Sequence, residues 1–204
     1  RIEDPRNATH AELHVMDDSA FRTIVAIALK PLYPTGVATP SPDPSPASCR
    51  NVILENLHGF RGNVVRHGEA GFLASFKSVS RAVQASLEIS RAVRDLQAAA
   101  GSMTMTIKIG VAAGVPVTKK KLLFEESIKL AERMCAAVKG NVILSSEVKA
   151  LYDTENSEPL PQGNGLVALA KRDENFLKQL LDYVESSWSD AGLKMDDLSR
   201  RLGY

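Results

Sequence analysis

The chain has 204 residues, enough for one medium domain and a short appendage, and its 44% hydrophobic and 24% charged content is ordinary for a well-packed soluble protein. A net charge of +1 argues for neither a polyanion binder nor a membrane-surface protein. Two cysteines, Cys49 and Cys135, set no disulfide framework, so a reducing cytoplasm is the simplest home, and no apolar run reaches the roughly 20 residues that span a bilayer. Opening at Arg1 rather than Met, the chain reads as a segment of something longer, with residues 1–19 as a lead-in. His10, His14, Asp17 and Asp18 crowd that lead-in, but nothing there organises a third ligand and no metal site is assigned.

Arg22 to Leu29 is apolar and rich in β-branched residues, the pattern of a strand buried on both faces. Residues 31–48 carry six prolines among Ser and Thr, which predicts a mobile loop. A helix is expected over Val52–Leu57, capped by Gly59, followed by strands over 63–66 and 71–76 joined by a tight turn at Gly68-Glu69-Ala70. Ser78 opens a long helix to about Ala99 whose stripe is Val79, Val83, Leu87, Val93 and Leu96. A strand over 103–113 and a turn with Lys119, Lys120 and Lys121 follow. Phe124, Ile128, Ala131, Cys135 and Val138 share one helical face by their 4-3-4-3 spacing, which puts Cys135 in the core as a small hydrophobe and places Lys129 and Arg133 on the exposed face. Gly140 ends that helix, Asn141–Leu144 is a short strand, and Ser145 caps a helix to Leu151.

Strands and helices therefore alternate around a central hairpin, predicting an α+β sandwich over 20–152 with helices on one sheet face, close to the ferredoxin-like plan. Residues 153–172, polar and bearing Pro159, Pro161, Gly163 and Gly165, read as a linker to an appended helical segment at 173–204. There Phe176, Leu177, Leu180, Leu181 and Val184 form an apolar stripe closed by Trp188, and a second helix carries Leu193, Met195, Leu198 and Leu202. Seven acids against four bases give this segment a net −3, which argues against DNA binding by the segment itself.

Two stretches carry a family resemblance. Phe124 to Cys135, with Leu130-Ala-Glu-Arg133 inside it, resembles the substrate-gripping helix of class III nucleotide cyclases, Val-Asn-Leu-Ala-x-Arg. Arg66-His-Gly-Glu-Ala-Gly-Phe-Leu-Ala-Ser-Phe76 resembles that family's metal hairpin. The resemblance implies a cyclase-like version of the ferredoxin-like sandwich, but its chemistry-bearing positions are altered. The two metal-binding Asp positions hold Ala28 and Ala70, the Asn position holds Lys129, and the adenine-reading Asp position holds Leu122. Arg133 keeps the Arg position and Arg66 stands where the family has a base-reading Lys. Mg²⁺ needs hard oxygen ligands, and two alanines provide none. The expectation is no catalysis and no cofactor, with Arg66, Lys129 and Arg133 as candidate contacts for an anionic small molecule; the plainer reading of Lys129 and Arg133 is ordinary surface cations.

Asp196-Asp-Leu-Ser-Arg-Arg-Leu-Gly-Tyr204 resembles the first helix of an AraC-type helix-turn-helix. That implies a bacterial transcription regulator in which the cyclase-like domain senses a signal or dimerises, and in which DNA is read by a recognition helix absent from this chain. The alternative is a nucleotide cyclase, active alone or in a heterodimer, making a cyclic nucleotide from ATP or GTP.

Overall fold

The computed structural model describes residues 21–32, 46–68, 71–101, 105–114, 124–163 and 165–187. Expectations for the lead-in, most of the proline-rich loop, Glu69 and Ala70, the lysine turn, Leu122, Trp188 and the second tail helix lie outside them.

The first strand, β1 (Arg22–Pro31), is where the sheet is organised. Its alternation is two-sided: Val25, Ile27 and Leu29 enter one core cluster, while Ile24 and Ala26 enter another across the sheet. Both faces are buried, so the run can be apolar throughout. After it come α1 (Pro46–Gly59), β2 (Asn63–Gly68), β3 (Gly71–Phe76), α2 (Val79–Ala99) and β4 (Met105–Gly114). β3 and β4 flank β1 antiparallel, and β2 pairs with β3, so these four strands stand in the order β2-β3-β1-β4 of a ferredoxin-like unit. The β2 ladder is broken by a register shift between Val64 and Arg66.

The chain then adds α3 (Glu125–Ala137), β5 (Val142–Leu144), α4 (Ser146–Glu155), β6 (Leu166–Ala168) and α5 (Lys171–Ser187). β5 and β6 extend the sheet in parallel from β4. Helices therefore cover both faces, correcting the one-sided sandwich. α1, α2 and α4 bury Ile53, Leu57, Val83, Ile89, Val93 and Val148 against one face, while α3 and α5 bury Leu130, Met134 and Leu177 against the other. The supposed linker over 153–172 holds the last turn of α4, all of β6 and the start of α5.

Local chemistry explains the element ends. Pro46 opens α1 six residues earlier than expected, because the first turn of a helix does not need the N–H that proline lacks. Gly59 is the last residue of α1, but the left-handed turn falls at Arg61, with φ 60°. The Gly62 N–H donates to the Leu57 carbonyl at 2.8 Å and the Arg61 N–H to that of His58 at 2.9 Å, closing a Schellman motif. Ser78 and Ser145 cap α2 and α4 as expected, their hydroxyls accepting from the backbone N–H of Arg81 and Val148. Gln97, buried at the end of α2, accepts the Met105 N–H at 2.9 Å and joins that helix to β4.

α3 lies closer to the sheet than its large apolar residues suggest. Its buried face is Ser127, Leu130, Ala131, Met134 and Cys135, with Ile128 only half-buried and Phe124 outside the helix as a left-handed cap at φ 65°. Small groups meet here: a Cβ at Gly110 would collide with the Ala131 carbonyl oxygen, and one at Gly114 with Ser127 Oγ. The Ser127 hydroxyl donates to the Ala113 carbonyl at 3.3 Å. Lys108 Nζ donates to the Val138 carbonyl at 2.8 Å, where the negative end of the α3 dipole welcomes a cation. The helix ends at Ala137, before Gly140.

Among the described residues no helix is long and apolar enough to cross a membrane.

Candidate functional site

Antiparallel register sets Ala28 of β1 opposite Gly71 of β3 and Lys108 of β4. Gly71 is required there: its φ is +150°, and a Cβ would overlap the Ile27 carbonyl. Its absence lets β1 and the β2–β3 hairpin meet backbone to backbone. A cleft of about 400 Å³ opens beside this junction, lined by Ala28, Arg66, His67, Phe72, Glu132 and Cys135 among others. The structure thus brings Ala28, Arg66 and the α3 residues Glu132 and Cys135 to one place.

The electrostatics of the cleft are nearly closed on themselves. Arg66 ion-pairs with Glu132, the one carboxylate among the described residues of the lining. Cys135 donates from Sγ to the Ala26 carbonyl at 3.3 Å, and burial pushes its pKa up to about 11. A thiol held protonated and bonded to backbone is a poor nucleophile and a poor metal ligand. Among the described residues, a divalent metal would find Ala28 on the strand and a single carboxylate already paired with arginine. Among the described residues no three His, Cys, Asp or Glu side chains gather to hold a metal ion. These described residues do not fit the metal pair that the cyclase resemblance implies.

The other two sequence candidates lie outside the cleft lining. Lys129, exposed on α3, pairs with Glu125 one turn back at 3.0 Å, and that carboxylate raises its pKa. Arg133 is the larger departure, because it is not on an open face. Its Nη2 donates to Asp182 at 2.6 Å and Glu185 at 2.9 Å, both on α5, and its side chain is only 12% exposed. Burial alone lowers the Arg133 pKa, and the Glu185 and Asp182 carboxylates more than offset it. Its Nε is buried with no acceptor among the described residues.

α5 reaches Arg133 because its beginning is fixed elsewhere. Glu174, only 2% exposed, accepts from the Ser146 hydroxyl at 2.7 Å and the Ser146 N–H at 3.0 Å, at the start of α4. Lys178 and Lys171 bracket the same carboxylate at 3.0 and 3.3 Å. Leu177 is buried in the α3-side core and Leu181 packs on its margin. Two members of the tail stripe, Leu177 and Leu181, are thus seated on the cyclase-like body. Sequence reading missed both Glu174 and the α5 acids. Asp182 and Glu185, spaced i, i+3 beside the apolar stripe, offered a helical-face signal but none pointing to Arg133.

The chain matches no protein-family model and no curated protein. Solved structures do share its architecture. The adenylate/guanylate cyclase/hydrolase from Silicibacter pomeroyi superposes with a TM-score of 0.55 at 21% identity, over 68% of this chain and 83% of that one. The guanylate cyclase domain of RhGC from Catenaria anguillulae, in complex with GTP, gives 0.53 at 14% identity over 65% and 82% of the two chains. The catalytic core of a rhodopsin-guanylyl cyclase with converted specificity, in complex with ATPalphaS, gives 0.51 at 16% identity over 72% and 91%. At such identities the likeness defines the fold. This chain has the α+β fold of nucleotide cyclase domains.

Proposed function

We propose that this chain is a non-catalytic cyclase-fold domain that senses a signal and dimerises, within a bacterial regulator of the AraC type. The observation that carries the first half is the donor set among the described residues of the cleft: Ala28 on the first strand, and one carboxylate, Glu132, paired with Arg66. In-line nucleotidyl chemistry at a metal pair needs oxygen ligands that these residues do not supply. Lys129 adds to this, since an ammonium cannot accept a ribose hydrogen bond. The regulator half rests on the sequence motif at 196–204, with DNA read by a recognition helix outside this chain. The signal is an anionic small molecule, met by Arg66 in the cleft and by Arg133 on α3.

With ATP or GTP and Mg²⁺ or Mn²⁺, the expected result is no cyclic nucleotide above background. Product that disappears in an Arg133→Ala variant would overturn the proposal and restore the enzyme reading. Asp at positions 28 and 70 together is expected not to revive activity, because Lys129 remains.

Self-association is expected at micromolar concentration, burying roughly 1,200–2,000 Å² as specific interfaces do. Sedimentation velocity of the whole chain checks it, and a monomer at the highest soluble concentration removes dimerisation from the proposal.

A further inference from the structure

We propose that α5 carries an internal stand-in for an anionic ligand: Asp182 and Glu185 occupy the Arg133 guanidinium, and a phosphate-bearing anion that displaces them frees the C-terminal half of α5 from α3. This rests on the reading of the domain as a sensor of an anionic molecule. It supplies what that reading lacks, a route from the bound anion to the tail.

The geometry of the guanidinium is the first support. Arginine recognises oxyanions best through two N–H groups used as a fork. Here both carboxylates share a single nitrogen, Nη2, while Nε is buried with no acceptor among the described residues. The helix acids satisfy the charge and leave the fork half used. A phosphate presenting two oxygens to Nε and Nη2 gains a bond that Asp182 and Glu185 do not make. Lys129, itself exposed, lies one helical turn before Arg133 on α3, paired with the local, partly buried Glu125, and adds a second cation for a longer polyphosphate.

The contact is also built to part. Arg133 is 12% exposed, but Asp182 and Glu185 are 68% and 62% exposed, so both acids return to water at little cost. Two turns earlier the helix is fixed in another way, with Glu174 buried against Ser146 and Leu177 in the core. α5 thus has an anchored first half and a second half whose contacts include the two ion pairs to Arg133 and the half-buried Leu181. Displacement of the acids loosens only the second half, the part continuous with the residues after Ser187.

The test uses the whole chain, with inorganic triphosphate and ATP as separate probes at constant ionic strength and without metal. Calorimetry reads binding, and amide hydrogen exchange reads residues 171–178 and 180–187 separately. In the wild type, triphosphate is expected to speed exchange over 180–187 by about tenfold, the scale of a typical coupling between sites, and to leave 171–178 unchanged. In the D182N/E185Q variant, 180–187 exchanges fast without any anion, and triphosphate binds about tenfold tighter. Arg133→Lys, which keeps the charge and loses the fork, abolishes the response. A tighter complex with ATP than with triphosphate identifies a nucleotide as the source of the phosphate; equal affinities identify the phosphate chain alone. Binding with unchanged exchange over 180–187, or unchanged affinity in D182N/E185Q, overturns the stand-in while leaving the sensor reading in place. No binding by either protein overturns both.

Discussion

Gly110→Ala is expected to destabilise the fold by about 3 kcal/mol, the upper part of the range for overpacked cores. Gly110 sits in the middle of β4, paired with Ala26 on one side and Ile143 on the other. An added Cβ meets the Ala131 carbonyl oxygen and then its carbon, which are backbone atoms of a helix and have no rotamer to change. Relief requires α3 to lift from the sheet, and that pulls Leu130, Met134 and Cys135 out of their contacts. Urea denaturation of the two proteins measures the difference. Gly59→Ala serves as the control, since nothing lies within 4 Å of a Cβ there and the residue is helical. It should stabilise by a few tenths to about 1 kcal/mol, following helix propensity. Equal stability of Gly110→Ala and wild type would mean that α3 does not rest on β4 as described.

The second large effect belongs to Glu174. Burial on its own raises the pKa of this carboxyl, but the Ser146 hydroxyl, Lys178 and the Ser146 N–H outweigh it and hold the group at about 2. The sign follows from linkage. A folded-state value below the unfolded one means that the group stabilises the fold above the unfolded pKa, and that this contribution is lost as pH falls through the folded value. A value near 2 against about 4.3 in the unfolded chain corresponds to about 3 kcal/mol at neutral pH, fading between about pH 4.5 and 2. Glu174→Ala should cost a similar amount at pH 7, about 2–3 kcal/mol, because the α4 N-terminus loses its charged acceptor. Denaturation midpoints from pH 7 to pH 2 decide the matter. The gap between Glu174→Ala and wild type should close at the acid end, and a gap independent of pH would assign the loss to packing instead of charge.

These two positions also mark how far the sequence could be read. The order of the first four strands, the long α2 and the serine caps were legible because each has a local cause: alternation, a 3.6-residue stripe, a hydroxyl three residues before the N–H it accepts. Of the three candidate ligand contacts, only Arg66 lines the cleft, where the hairpin meets Ala28 of the first strand. The α3 face was misjudged because it packs by small residues. Ser127 and Ala131 approach glycines of β4, whereas Phe124 began the expected stripe from outside the helix. β6 escaped notice because three residues directly after Gly165 are too few to carry a period. Arg133 looked like a surface cation because its partners come 49 and 52 residues later and are found only through the tertiary fold.

The two ends of the sheet decide what kind of dimer is open to this molecule. At one end β6 offers three residues, too short a ladder for another chain to continue. At the other, β2 carries its register shift between Val64 and Arg66, and its outer half bears Arg66 and His67. Bulged, charged and abbreviated edges resist strand addition. Such edges disfavour running the sheets of two copies together into a single twelve-stranded layer. The pairing proposed above is therefore expected through side chains, where the shape of the surface and not the backbone sets the match. The same edges guard against the open-ended, edge-to-edge growth that leads to fibres.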